Sequence, residues 1–444
     1  MPDRGRDHVG LARLPDLRGR LMVKAMQHDP NKPWYRKLHW QVLIAMLIGA
    51  ATGAVVGTPA ADALGWLGDL FMKLLRMIIV PLVITSIISG VASVGRGRAL
   101  GRLFSKTMGY YFLSSLLAVL TGLVMVNLIR PGVGANMLAI SSDQPLPELQ
   151  TATSPVQLLL DIVPQNVVQA ASTTDMLALI FFCIVFGAAI ATMPDKPQKV
   201  LTDLFDALFD AMMRLTSGII VFLPLGVFAL ITRMVATTGF ESFRPLALYA
   251  ITIASGLAIH LFVTLPLLLI LLGKIKPRIH FANMREPLLV AFSTSSSGAT
   301  LPVTMHAVET HAGVSNKVSS FVLPMGATVN MDGTAIFECV GALFIAQVLG
   351  FELSLMQQGV VVVTALLASI GAAAVPSAGL VVIFIVLEAI GLSGPNVNVI
   401  VASMLAIDRP LDMARTAVNV FSDSCGAAII ARSEGETSVD TAIN

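Results

Sequence analysis

Residues 408–423 read Asp-Arg-Pro-Leu-Asp-Met-Ala-Arg-Thr-Ala-Val-Asn-Val-Phe-Ser-Asp. Asp408, Asp412, Arg415, Thr416, Asn419 and Asp423 recur at spacings of three and four, so one helix face carries a guanidinium and three carboxylates. The residues between them, among them Met413, Ala414, Ala417, Val418 and Val420, are mostly apolar. The surrounding chain is apolar too. Of its 444 residues 55% are hydrophobic and 13% charged, against roughly 25% charged in an average soluble domain. Mean hydropathy is +0.80. This excludes a soluble enzyme, a nucleic-acid binder and a disordered chain. Aromatic content of 6%, with 35 Gly and 21 Met, suits polytopic helices better than a barrel with aromatic girdles. The three cysteines lie in apolar context and suggest neither a disulfide framework nor a zinc site. The stripe therefore lies at membrane depth, where ionisable side chains mark ligand and ion paths. Two readings stand for it: an internal Asp412–Arg415 pair that stabilises the bundle, or a site for a ligand carrying both a carboxylate and an amine.

Three further polar interruptions precede it. Residues 291–302 read Ala-Phe-Ser-Thr-Ser-Ser-Ser-Gly-Ala-Thr-Leu-Pro, a hydroxyl-rich tip between apolar arms. That pattern predicts a re-entrant hairpin whose free N–H groups and helix N-terminus suit a carboxylate; a Ser-rich loop or a packing face of small residues is the plainer reading. Residues 326–334 read Gly-Ala-Thr-Val-Asn-Met-Asp-Gly-Thr. An unwound turn there, with Asn330 and Asp332, offers hard oxygen donors to a small cation rather than to a thiolate-loving metal. Residues 369–379, Ser-Ile-Gly-Ala-Ala-Ala-Val-Pro-Ser-Ala-Gly, form a second tip with backbone groups to offer; two full spans joined by a tight turn are the alternative. Glu338 stands alone among Phe337, Cys339 and Val340. It is either a hydrogen-bonded core carboxyl or a group that takes up and releases a proton during a cycle.

Before residue 285 the chain reads as six spans: 41–56, 70–94 broken by Pro81, 109–129, 177–193, an amphipathic-to-apolar helix from Asp203 to about Ile231, and 246–272. Basic residues fall in alternate loops: Arg96, Arg98, Arg102 and Lys106, then Lys196 and Lys199, then Lys274, Lys276, Arg278 and Arg285. The opposite loops, 57–63, 130–172 and 236–245, hold only Arg130 and Arg244. Residues 1–40 are basic and lack a signal-peptide core. The positive-inside rule then puts the N-terminus in the cytoplasm of a multi-pass protein of the cell (inner) membrane. Interrupted hydrophobic segments after residue 285 point to a transporter's binding site.

These motifs resemble the dicarboxylate/amino acid:cation symporters, the glutamate transporter family. Ser-Ser-Ser-Gly-Ala-Thr-Leu-Pro, Asn-Met-Asp-Gly-Thr, Val-Pro-Ser-Ala-Gly and Asp-Met-Ala-Arg-Thr-Ala-Val-Asn occur in the family's order, and the likeness runs from Trp34 to Arg432. It implies an all-α polytopic membrane protein with eight transmembrane helices and two re-entrant helical hairpins, working as an elevator-type homotrimer in the lipid bilayer. By that resemblance 1–40 is a cytoplasmic arm, 41–107 and 131–240 are scaffold, 108–130 and 241–432 are transport domain, and 433–444 is a cytoplasmic tail.

Carried over residue by residue, it implies that Arg415 holds the substrate side-chain carboxylate and Asp412 the amino group. Thr334, Thr416 and Asn419 would contact substrate, and Ser296 and Ser297 with Val375 and Gly379 would hold the α-carboxylate. Sodium ions would sit at Gly326, Asn330, Asn419 and Asp423; at Thr328, Ser369, Ile370 and Ala372; and at Tyr111, Ser114, Ser115, Asn330 and Asp332. Glu338 matches the proton-linked glutamate of the animal members. An Arg that many members keep is replaced here by Ser295 or Met413. The implied function is import of aspartate or glutamate coupled to sodium, with or without a proton beside it, and no cofactor, enzyme activity or nucleic-acid partner. A C4-dicarboxylate or neutral amino acid symporter is the alternative within the family; an ion channel is the alternative outside it, although its stripe of mixed charge lacks a carbonyl filter.

Overall fold

Long apolar runs can satisfy their backbone N–H and C=O groups inside a bilayer by forming helices. The computed structural model describes residues 38–92, 98–135, 160, 163–173, 175–370 and 379–440, and every regular element among them is helical. The first are α1 (Leu38–Val56), α2 (Thr58–Met77), α3 (Ile79–Ala92), α4 (Arg98–Ile129), α5 (Val167–Ser172) and α6 (Met176–Thr192). Then come α7 (Asp195–Ile220), α8 (Leu223–Thr238) and α9 (Phe243–Gly273). Among the described residues four helical stretches are long and apolar enough to cross a membrane, or five if the bent α7–α8 pair is one span.

Three expected spans differ in detail. The third begins at Arg98 rather than at 109, so Arg98, Arg102 and Lys106 lie on α4 and not in a loop. The second begins at Thr58, where Pro59 occupies the first turn, and its break falls at Ile78 rather than at Pro81. Pro81 has no N–H to give Met77, four residues back, so the ladder fails ahead of the ring. The fifth helix is not continuous to Ile231: α7 ends at Ile220, and α8 starts after a 48° bend with Pro224 in its first turn. Helix α9 widens into π-turns at His260–Thr264 and Leu269–Gly273, around Pro266.

The second half is built of α10 (Pro277–Asn283), α11 (Arg285–Thr294) and α12 (Ser297–Thr310), then α13 (Asn316–Val329) and α14 (Asp332–Val348). They are followed by α15 (Leu355–Ile370), α16 (Gly379–Ala389) and α17 (Pro395–Ser433). Helices α11 and α12 fold back on each other and lean on α17. Helix α14 packs against α4, α15 and α17. Burial ranks the spans: the apolar window within 316–348 is 94% buried, against 33% in 102–129 and 39% in 243–273. The helix pair interrupted at Asn330 is thus the axis of this half, and α1, α4 and α9 turn apolar side chains such as Leu47, Val124 and Phe262 outward.

The end of the chain ties the bundle together at one end. Asp440 accepts from His280 Nδ1 and from Asn283 Nδ2, each at 2.7 Å, and its N–H donates to Ala312 O at 2.8 Å. His280 Nε2 reaches Ser424 Oγ on α17 at 3.0 Å. Glu434 pairs with Arg102 and Lys106 of α4, each at 2.6 Å.

Candidate substrate and cation site

The stripe of α17 faces inward as its periodicity predicts, and all six of its polar residues are buried. Arg415 is 1% exposed, with its guanidinium 3.9 Å from the centre of the Phe337 ring. Arg415 Nη2 donates to Asp412 Oδ1 at 2.7 Å and lies 3.2 Å from Asp408 Oδ1 without hydrogen-bond geometry. Both stated readings of the pair therefore have a footing: Asp412 and Arg415 do bond. Yet Arg415 Nε and Nη1 take no hydrogen bond among the described residues. Nη1 points to Gly379, where a Cβ would come within 2.7 Å of it. A buried guanidinium with two donors to spare is costly unless something else uses them.

Helix α14 supplies the opposite wall. It approaches α17 so closely at Gly333 that a Cβ there would meet Arg415 O at 2.6 Å. Gly333 N–H donates to Asn419 Oδ1 at 2.7 Å, and Asn419 Nδ2 reaches Thr334 Oγ1 at 3.5 Å. Thr416 Oγ1 donates to Asp412 O at 2.9 Å. Arg415, Asp412, Thr334, Thr416, Asn419 and Gly379 thus line one region. Ser296 caps α12 by accepting from Ala299 N–H at 3.1 Å, and Ser295 takes the left-handed conformation (φ 53°) that turns the hairpin. Ser297 is buried in the first turn of α12. Val375 and Ala372 lie outside the described residues.

The unwound turn is present, and Asn330 and Met331 leave the helical conformation between α13 and α14. Asn330 Nδ2 donates to Asp423 Oδ1 at 2.9 Å, while Asn330 Oδ1 has no partner among the described residues. Gly326 is bare because Asp423 Oδ1 and Tyr111 Oη would each lie 2.5 Å from a Cβ. Asp332 collects four side-chain partners: Ser114, Ser115 Oγ at 2.7 Å, Ser422 Oγ at 2.6 Å and His260 Nε2 at 2.9 Å. Tyr111 Oη instead donates to Val322 O at 2.7 Å. Thr328 Oγ1 and Ser369 Oγ bond to carbonyls of their own helices, and Ile370 ends α15. An amide oxygen without a donor beside a buried carboxylate fits a small cation.

His260 and Ser422 are the members that spacing did not find. His260 is 0% exposed in the middle of an apolar span, and its Nδ1 has no partner among the described residues. Its signal was in the sequence: an ionisable residue at membrane depth. Ser422 lies next to Asp423, and no pattern separates it from a packing serine. Glu338 is fully buried, and both its oxygens lack partners among the described residues.

Apolar helices whose buried charges converge on one interrupted helix and one hairpin form the architecture of a membrane transport protein. The chain belongs to the sodium:dicarboxylate symporter family, whose profile matches residues 38–433. It is accordingly an integral membrane secondary transporter and not an enzyme. It is 36% identical to excitatory amino acid transporter 3 of Mus musculus, over 89% of this chain and 86% of the relative. It is 36% identical to a proton/sodium-glutamate symport protein of Bacillus caldotenax, over 90% and 95%. Identity to a proton/glutamate-aspartate symporter of Escherichia coli K12 is 32%, over 89% and 93%.

Proposed function

We propose that this protein imports aspartate and glutamate in symport with sodium, with a proton as a further coupling ion. The observation that carries the substrate class is Arg415: a fully buried guanidinium with two unpartnered nitrogens among the described residues, one residue-turn from a buried Asp412. A guanidinium fork takes a side-chain carboxylate and a carboxylate takes an ammonium, so the pair calls for an acidic amino acid. The relatives named for glutamate, with sodium or proton coupling, support the same reading. Thr334, Thr416 and Asn419 complete the substrate wall, and Ser296, Ser297, Val375 and Gly379 hold the α-carboxylate from the hairpin tips. Sodium is taken at Asp332 with Tyr111, Ser114, Ser115 and Asn330; at Asp423 with Gly326, Asn330 and Asn419; and at the Thr328, Ser369, Ile370 and Ala372 carbonyls. Glu338 is the proton carrier.

The wider architecture belongs to the same proposal. Eight transmembrane helices and two re-entrant hairpins assemble as a homotrimer in the bilayer, with both termini cytoplasmic. Residues 108–130 and 241–432 move as a transport domain against scaffold 41–107 and 131–240. Each bound sodium offsets a carboxylate, which lowers the electrostatic cost of moving the loaded site. The test is uptake of labelled aspartate into liposomes under imposed sodium or proton gradients. Uptake that ignores both gradients would sink the coupling, and no aspartate uptake would sink the substrate class.

A further inference from the structure

Arg409 has no part in the substrate site just described, yet its side chain is held inside the protein, 8% exposed. Its Nη1 donates to Asp412 Oδ2 at 3.1 Å, while Asp412 Oδ1 takes Arg415 Nη2 at 2.7 Å. Arg409 Nε has no partner among the described residues. Asp408, Arg409, Asp412 and Arg415 thus form a buried cluster with two charges of each sign. Asp412 is its centre, clamped on each oxygen by a different guanidinium. Carboxylate oxygens have lone pairs to spare, so a third donor can still approach. What two guanidiniums take away is the negative field that would draw that donor in.

We propose that Arg409 is a specificity-determining residue, setting how strongly the site demands an amino group on its substrate. This rests on Asp412 being the ammonium partner in the reading above. Arg409 acts through Asp412 and so is a positioning residue. While its charge is present, an ammonium gains less at Asp412, and every substrate carboxylate gains from one more nearby cation. Once that charge is removed, the cluster becomes net negative. Aspartate then gains at its ammonium what it loses at its carboxylates. A C4-dicarboxylate without an amine has only the loss. The preference for aspartate over succinate therefore widens when Arg409 is neutralised. A purely structural ion pair would change the amount of folded protein and leave that ratio alone.

The experiment uses the full chain in liposomes under an inward sodium gradient. Inhibition of labelled aspartate uptake by unlabelled aspartate and by succinate is measured for the wild type, Arg409→Gln and Arg409→Lys. The ratio of the succinate to the aspartate inhibition constant is expected to rise about tenfold or more in Arg409→Gln, the scale of one charge-assisted hydrogen bond. In Arg409→Lys, which keeps the charge, it stays within about threefold of wild type. Arg409→Met fills the same space with no polar group to satisfy and carries the same expectation as Gln, should the Gln variant not fold. An unchanged or falling ratio in the neutral variants overturns the proposal. Absence of sodium-driven aspartate uptake in the wild type would overturn the substrate reading and this inference with it, and is told apart because it needs no substitution.

Discussion

Replacing Arg415 with Ala removes the two guanidinium nitrogens that take no partner among the described residues, Nε and Nη1. Each is free to make a charge-assisted hydrogen bond to a substrate carboxylate, worth about 1.5–3 kcal/mol. Losing both costs about 3–6 kcal/mol, a fall in aspartate affinity of roughly 10²- to 10⁴-fold. The same change strips Asp408 and Asp412 of their shared cation, and a buried carboxylate left unpaired is itself destabilising. Arg415→Lys separates the two effects. Its ammonium keeps a positive charge between the carboxylates but cannot form the planar fork. The Lys protein is expected to elute from size exclusion as the wild type does, and to lose about 10- to 10²-fold in affinity. The assay is sodium-driven uptake of labelled aspartate across a range of concentrations, which separates affinity from the amount of active protein. A Lys or Ala variant whose half-saturating aspartate concentration stays within about threefold of wild type would refute the role given to Arg415.

Three more outcomes follow from the same geometry. Gly333→Ala drives a Cβ to 2.6 Å from Arg415 O and 2.9 Å from its Cα; backbone on both sides leaves little room to yield, so about 1–3 kcal/mol of overpacking is expected, read as a lower melting temperature with impaired uptake, and an unperturbed variant would show that α14 and α17 do not meet so closely. Asp332→Asn offers one acceptor oxygen where four side chains now converge on two; the sodium concentration for half-maximal uptake should rise at least about tenfold, and an unshifted sodium curve would remove Asp332 from the cation site. Glu434, bonded by Arg102 and Lys106, is held down to about 2, below its ordinary 4.5. Its stabilising contribution is therefore complete above about pH 4.5 and lost as pH falls through 2. Arg102 is exposed, which keeps that contribution small. Thermal unfolding of Glu434→Gln should trail the wild type at neutral pH, with the gap closing in acid; a gap independent of pH would deny the ion pair.

How far sequence reached depended on the kind of contact. The α17 stripe was legible because helical period alone brings Asp412, Arg415 and Asn419 to one face. The unwound turn was legible because Asn330 and Asp332, flanked by Gly326 and Gly333, cannot sit in a lipid-facing helix. Helix ends were less so: Pro81 announces a break but not where it falls, and Pro224 went unread inside a helix expected to run to Ile231, because whether the chain bends or restarts depends on neighbours. Contacts between distant segments left no periodic trace. His260 meets Asp332 across 72 positions, and Asp440 meets His280 across 160. Asp440 is buried because the fold returns it to α10, which no local pattern around it announces.

The two buried clusters differ in how their charge is balanced, and that difference bears on coupling. Asp408 and Asp412 have Arg409 and Arg415 as permanent counter-charges. Asp332 and Asp423 have hydroxyls, an amide and one imidazole, but no permanent cation among their hydrogen-bond partners within the described residues. Carboxylates buried on those terms call for an external cation far more than the first pair does. Under the proposed reading, sodium is needed where charge is unbalanced and substrate binds where it is balanced. Two hydrogen bonds tie α17 to the unwound turn and the helix it opens: Asn330 Nδ2 to Asp423 from the turn itself, and Gly333 N–H to Asn419 from the first turn of α14. A cation that orders Asn330 thereby fixes Gly333 and Asn419, which sit against the Arg415 backbone and Thr334. Coupling between ion and substrate then needs no long-range relay, because the same few residues form the floor of one site and the wall of the other.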